Sequence, residues 1–348
     1  MGVSTLEKIF FAEHLSLMLK SGVSIIEALD TLKEEVKSKT LKKAIGKIRD
    51  DISSGRSLSE SLKRYPKIFD NFFCSVVKIG EKTGKLDENL KFLAQKLNQE
   101  NELKRKLRGA MIYPAILVFV ATLVILLVIF FLLPRIVPLF SIMKIQLPLP
   151  TRILIKAPSF FRQYGILILI SLFSFFLSVK FLRKFKIFRF YFDKILLSLP
   201  FLGNFLKNLN LAHFSRSFFI LFKSGLSLRE ILELCSETLQ NEIYKESMIF
   251  LTSQIERGKR IGEALKKLKK YFPLFFCQMV LTGERTGNLE ESFFYLSQFY
   301  NERVSSDLKR FSTIIEPALI VFVGIFVGFI AFSVITPIYK FLGQFRFR

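Results

Sequence analysis

The sequence predicts an all-α integral membrane protein with two homologous helical-bundle domains on the cytoplasmic side and three transmembrane helices. Three observations carry that expectation: three long apolar windows, an internal repeat at a constant offset of 203 residues, and apolar spacing of helical period throughout the repeat. Apolar residues make up 51% of the 348, more than a water-soluble chain of this length needs for its core.

The windows are Ala115–Leu133, Gly165–Leu182 and Ala318–Thr336. The first and third are 19 residues without a charge, roughly 28 Å of helix at ~1.5 Å per residue, which matches a hydrocarbon core. The second carries only Lys180, near its end, where a lysine stem can snorkel to the headgroups. The opening residues include Glu7, Lys8, Glu13 and His14, so no secretory signal is expected there and the first span is expected to direct insertion.

Charge sets the expected orientation. Lys and Arg number 52 against 29 Asp and Glu, a net +23. Clusters flank the spans: Lys104, Arg105, Lys106 and Arg108 before the first, Arg183, Lys184, Lys186 and Arg189 after the second, Lys309 and Arg310 before the third. The positive-inside rule places all three in the cytoplasm, although the intervening loop also holds Arg135, Lys144, Arg152, Lys156 and Arg162. Basic residues elsewhere are dispersed through amphipathic helices without a nucleic-acid motif, so no nucleic acid is expected as a partner.

The repeat fixes the domains. Gly22, Gly55, Cys74, Gly80, Gly84, Pro114 and Pro134 recur 203 residues on as Gly225, Gly258, Cys277, Gly283, Gly287, Pro317 and Pro337. Leu41, Ile45, Ile48 and Ile52 map to Tyr244, Met248, Leu251 and Ile255; Leu86, Leu90, Leu93 and Leu97 map to Leu289, Phe293, Leu296 and Tyr300. Both sets step by four, three and four, one face of an α-helix. The expected order is a helical domain at 1–110, a span at 111–134, an outer loop at 135–163, a span at 164–182, a second helical domain at 183–313, a span at 314–337 and an outer tail at 338–348. The middle span has no repeat partner, and its extra crossing returns the second domain to the side of the first.

Turn chemistry is readable within each copy. Gly22 and Gly225 fit left-handed helix ends; Ser24 and Ser227 then start the next helix, with Glu27 and Glu230 in capping-box position. The stretch IGEKTGKLDENL, residues 79–90, has the glycines and Lys-Thr of a phosphate loop. The lysine of its Lys-Thr, Lys82, follows Glu81 rather than the glycine such a loop requires, and that carboxylate stands where an anion would sit. It recurs as TGERTGNLEESF with Gly283, Glu284 and Gly287, and is expected to be a helix corner in which Gly80 to Gly84 turn the chain. At the membrane entries stand Pro114, Glu316 and Pro317. Glu316 reads as a helix-start carboxylate with Pro317 in the first turn, or as a contact for a neighbouring span or a partner's membrane segment.

Catalytic inventory is sparse. Cys74, Cys235 and Cys277 lie among helical apolar residues without CxxC spacing and are expected to be reduced, buried thiols. His14 and His213 have no ligand partners nearby in sequence, so neither metal nor cofactor is expected.

Several of these stretches resemble one family. FAEHLSLMLKSGVSIIEALDTL (11–32), VVKIGEKTGKL (76–86), AMIYPAIL (110–117), LTGERTGNL (281–289) and IIEPALIVFVGIFVGFIAFSVITPIY (314–339) are similar to the type II secretion F domain. That domain is duplicated in the GspF/PilC inner-membrane platform proteins. The resemblance implies a non-enzymatic homo-oligomer beneath a pilus or pseudopilus. Its implied partners are a hexameric cytoplasmic ATPase, pilin or pseudopilin subunits, other inner-membrane assembly proteins and the lipid bilayer. A transporter built from parallel repeats is the alternative, weakened by spans with few polar residues and no internal Pro.

Overall fold

The computed structural model describes residues 3–132, 135, 149–183, 185–200 and 202–345. Among them the regular structure is helical. The first copy comprises α1 (Thr5–Lys20), α2 (Ile25–Glu35), α3 (Lys39–Ser53), α4 (Leu58–Lys63), α5 (Asn71–Thr83) and α6 (Leu86–Leu127), the last ending in a π turn at Val128–Leu132. Then come α7 (Leu149–Leu182) and α8 (Lys186–Ser198), which the repeat does not duplicate. The second copy follows as α9 (Leu202–Lys223), α10 (Leu228–Thr238), α11 (Glu242–Glu256), α12 (Ile261–Lys266), α13 (Leu274–Thr286) and α14 (Leu289–Phe345). Both bounds of α10 to α13 lie 203 residues beyond those of α2 to α5, so the offset read from Gly and Pro is also the offset of the helices.

The chain forms two compact units, one of Met1–Lys106 with Arg189–Asp307 and one of Leu107–Phe188 with Leu308–Arg348. In the first unit the two copies do not keep separate cores. Leu41, Ile45 and Ile48 of α3, Tyr244, Met248 and Leu251 of α11, Leu90 and Leu93 of α6, and Phe293 and Leu296 of α14 all belong to one buried cluster. Phenylalanines fill its second half: Phe214 lies against Phe272, Phe276 and Phe293 at centroid distances of 6.1, 6.0 and 5.6 Å. Such ring pairs add to the area term that drives the burial.

In the second unit, Ile330 of α14 is buried against Ile125 of α6 and Val128 of the π turn. Hydroxyls there are satisfied within their own helices: Thr122 donates to the carbonyl of Val118 at 2.8 Å and Thr336 to that of Phe332 at 2.7 Å. A hydroxyl in hydrocarbon finds no water, so the carbonyl one turn back is its cheapest partner.

Three expectations need correction. Neither Pro114 nor Pro317 starts a helix; each lies inside a continuous one, α6 or α14. Pro317 is therefore not in a first turn and Glu316 is not a helix-start carboxylate; the side chain of Glu316 lies outside the described residues. Proline removes one i to i−4 bond, and a long helix held on both sides of it need not break. Residues 149–163, expected to belong to a loop, are helical, Pro150 and Pro158 included, while residues 136–148 lie outside the described residues. Finally, Gly80 to Thr83 do not turn; they form the last turn of α5, and the chain reverses at Gly84 and Lys85.

At that reversal Gly84 has φ +71°, and the N–H groups of both Gly84 and Lys85 donate to the carbonyl of Gly80. Gly287 repeats the geometry at φ +75°. A Cβ at Gly84 would meet no atom within 4 Å, so its cost is backbone strain alone. Gly84→Val is accordingly expected to cost about 1 kcal/mol or more and to lower the Tm of the full-length protein in detergent. Exposed Lys82, changed to Ala, should shift stability by no more than about 0.5 kcal/mol. Equal melting of the two variants, or ATP binding abolished by Lys82→Ala, would restore the phosphate-loop reading.

Candidate functional site

The corner residues meet in space as a clamp. Gly80 is where α5 touches the start of α6: a Cβ there would lie 2.8 Å from the Leu86 Cα and 3.2 Å from the Asn89 Cβ. Gly283 stands the same way against Ser292, whose Cβ would be 2.8 Å away. With no side chain at this position the two helices approach at backbone distance. The next residue faces the other way. The Glu81 carboxylate accepts the backbone N–H groups of Leu58 and Ser59, the first two residues of α4. In the second copy Glu284 accepts from Ile261 at 2.8 Å and Gly262 at 3.1 Å, at the start of α12.

The carboxylate that argues against a phosphate loop thus occupies an anion's place at another helix's N-terminus, where free N–H groups and the helix dipole favour negative charge. The other turn residues stand where their chemistry suggests. Gly22 has φ +85° and Gly225 φ +93°. Ser24 accepts from the Glu27 N–H, and Ser227 and Glu230 form a reciprocal capping box. A reciprocal bond from Glu27 is absent from the described contacts.

The two copies of the clamp differ in reserve. Ser57 also caps α4 through the Glu60 N–H, whereas its counterpart Arg260 gives α12 no side-chain cap. Glu284→Ala is therefore expected to destabilise by about 1–3 kcal/mol, the cost of stranding part-buried N–H groups. Glu81→Ala should cost less; a larger Tm loss for Glu81→Ala in urea or thermal melts would contradict the clamp.

Between the copies lies a polar seam that the motifs did not announce. Ser224 donates to Asn89 Oδ1 at 2.7 Å in a buried setting. Asn71 of α5 donates to Glu237 of α10 at 3.2 Å, and the Lys223 ammonium sits 5.1 Å from the Phe92 ring centre. Beside these contacts is a small cavity of about 40 Å³ lined by Lys96, Glu100, His213 and Arg216. Arg216 is only 8% exposed, and its Nη2 reaches Gln95 Oε1 at 3.5 Å. Desolvation would raise the Glu100 carboxyl, but the ion-paired Lys96, together with His213 and Lys104, holds the group low. Desolvation lowers the His213 imidazole, which Glu100 only partly offsets.

Repeat comparison is the signal that could have found the seam: Lys96 and His213 stand where the other copy has Phe299 and Phe10. Because the folded His213 has its pKa below the unfolded value of about 6.5, the unfolded chain binds its proton first, and stability falls as pH drops below about 6.5. Glu100 adds a second loss only below the ordinary carboxylate range. Replacing His213→Phe should flatten the change in Tm between pH 7.5 and 5.5; an unchanged slope would show that His213 does not set it.

Nothing in the site is arranged for catalysis among the described residues. Burial pushes the Cys74 and Cys277 thiols up to about 11 and raises that of Cys235 as well, leaving poor nucleophiles. Among the described residues no group of three or more His, Cys, Asp or Glu side chains is placed to hold a metal.

What these features define is a duplicated all-helical membrane protein whose two copies share one core, with three helices long and apolar enough to cross a bilayer. Residues 11–134 and 214–337 each match the family described as type II secretion system (T2SS), protein F, and the chain belongs to that family. It is a multi-pass inner-membrane protein by that membership and its apolar helices. It is similar to the type IV pilus assembly protein PilC of Thermus thermophilus, 31% identical over 337 residues covering 96% of this chain and 82% of the relative. Type II secretion system protein F of Vibrio cholerae is 28% identical over 337 residues, 97% of this chain and 83% of that protein. The PilC of Pseudomonas aeruginosa is 25% identical over 339 residues, 97% and 90% respectively.

Proposed function

We propose that the protein is the membrane platform of a pilus-like assembly machine. Its two helical copies engage a hexameric cytoplasmic ATPase, and its spans pass the resulting motion to pilin or pseudopilin subunits being drawn from the bilayer. It acts as a homo-oligomer among other inner-membrane assembly proteins, with its N-terminus cytoplasmic, and hydrolyses nothing itself.

The observation that carries this reading is similarity along nearly the whole chain to proteins named for type IV pilus assembly and type II secretion. The orientation rests on the basic clusters at Lys104 to Arg108, Arg183 to Arg189 and Lys309 to Arg310.

The test has a biochemical and a topological arm. Purified protein should show no ATPase activity, yet co-purify with its cognate hexameric ATPase; intrinsic hydrolysis abolished by Lys82→Ala would overturn the adaptor reading. In a chain stripped of native cysteines, Lys47→Cys and Lys259→Cys should resist an impermeant thiol reagent in intact cells while Lys144→Cys reacts. The reverse pattern would invert the orientation.

A further inference from the structure

The helix α8 stands outside the repeat, so its exposed face has no explanation in the duplicated core. Its inner face is fixed. Asp193, the only acid of α8 and itself buried, accepts the N–H of Glu242 at 2.9 Å. Arg189 pairs with Glu242 at 3.1 Å and donates to the carbonyl of Gln240 at 2.6 Å. These bonds tie α8 to the start of α11.

The opposite face is then committed to solvent or to a partner. Tyr191 and Ile195 stand four residues apart on one side of the helix and Leu199 follows just past its end; they are 59%, 61% and 43% exposed. Beside them opens a groove of about 300 Å³, lined by Tyr191, Ile195, Tyr271 and the three lysines Lys194, Lys207 and Lys270. No acid lines it. Among the described ion pairs none holds these three lysines.

We propose that this groove binds an anionic phospholipid, with α8 lying in the headgroup layer of the bilayer. An apolar floor edged by tyrosines and capped by lysines matches one ligand chemistry, an acyl chain joined to a phosphate. A basic helix with an apolar stripe is also the form that settles into a lipid interface. Chain continuity selects the bilayer as the source. Only the residues between Leu182 and Lys186 separate α8 from α7, an apolar helix of membrane length, and four steps of extended chain reach at most ~14 Å. The inference rests on reading α7 as a membrane span, and the test separates the two.

The natural chain contains no tryptophan, so one introduced residue reports its own surroundings. Full-length protein carrying Ile195→Trp, or Tyr191→Trp as an independent second position, is reconstituted into vesicles of phosphatidylcholine with or without phosphatidylglycerol. Lipids brominated near the headgroup serve as the quencher. Phe173→Trp in α7 reports the span, and Ile249→Trp, an exposed apolar position on α11, reports the domain surface away from the groove.

Quenching at 195 and 191 is expected to be at least twofold stronger when the brominated lipid is phosphatidylglycerol than when it is phosphatidylcholine. Lys194→Gln combined with Lys207→Gln and Lys270→Gln should bring that ratio to about one, and free glycerol phosphate should leave it unchanged. Quenching at 173 without quenching at 195 and 191 overturns the proposal and keeps the span. Loss at all three positions overturns the span reading too. A blue-shifted but unquenched signal at 195 assigns the groove to a protein and overturns the lipid, and quenching indifferent to headgroup charge or to the lysines overturns the anionic site.

Discussion

One contact organises each copy: the backbone-close crossing of α5 on the start of α6, and of α13 on the start of α14. It exists because Gly80 and Gly283 present no Cβ to Leu86 and Ser292. The reversal at Gly84 returns the chain immediately, and the carboxylate between the two glycines is thereby aimed back at α4. Three neighbouring residues therefore set a close approach, a reversal and a remote helix start. A side chain at Gly80 would push the Leu86 backbone outward, and interiors packed at native density have little slack to absorb such a shift. The second copy has kept the arrangement while the side chains around it changed.

How that corner was read from sequence shows where such reading succeeds. The glycine pair, its recurrence and the helical period of Leu86, Leu90 and Leu93 are local signals, and they place α5, the turn and α6. The partner of Glu81 lies 22 and 23 residues upstream, at a helix start already supplied with its own Ser57 cap. Nothing nearby in sequence marked that N-terminus as wanting a second acceptor. Proline misled in the opposite direction. Pro114 and Pro317 are helix-start signals by statistics, yet the helices pass through them, because more than twenty residues of α6 and of α14 precede each and have already paired the backbone.

The seam between the copies was illegible for a different reason. A tandem duplication fused in one chain packs one copy's face on a different face of the other, so the interface is heterologous and its residues have no reason to obey the repeat. Asn89, Gln95, Lys96 and Glu100 come from α6, whereas Arg216 and His213 come from α9, the counterpart of α1, and Ser224 from the turn that follows it. Helical period predicted that these faces exist; which would meet is a tertiary fact. The polar substitutions at Lys96 and His213, against Phe299 and Phe10, are the trace it left.

That asymmetry also bears on where the first unit can recognise a partner. The membrane-length helices are mostly apolar, and hydroxyls such as those of Thr122 and Thr336 are spent on their own carbonyls. Specific recognition has to come from groups that still have something to offer. In the first unit these are the charged seam between the copies and the basic, apolar-edged face of α8. The seam is closed by direct hydrogen bonds, so it can respond to a partner only by rearranging, at the cost of the burial around Arg216 and Ser224. The α8 face is already open, and its tie through Asp193 and Arg189 lets it take a ligand without disturbing the shared core. A domain duplicated for packing thus leaves its open chemistry on a helix that the duplication did not produce.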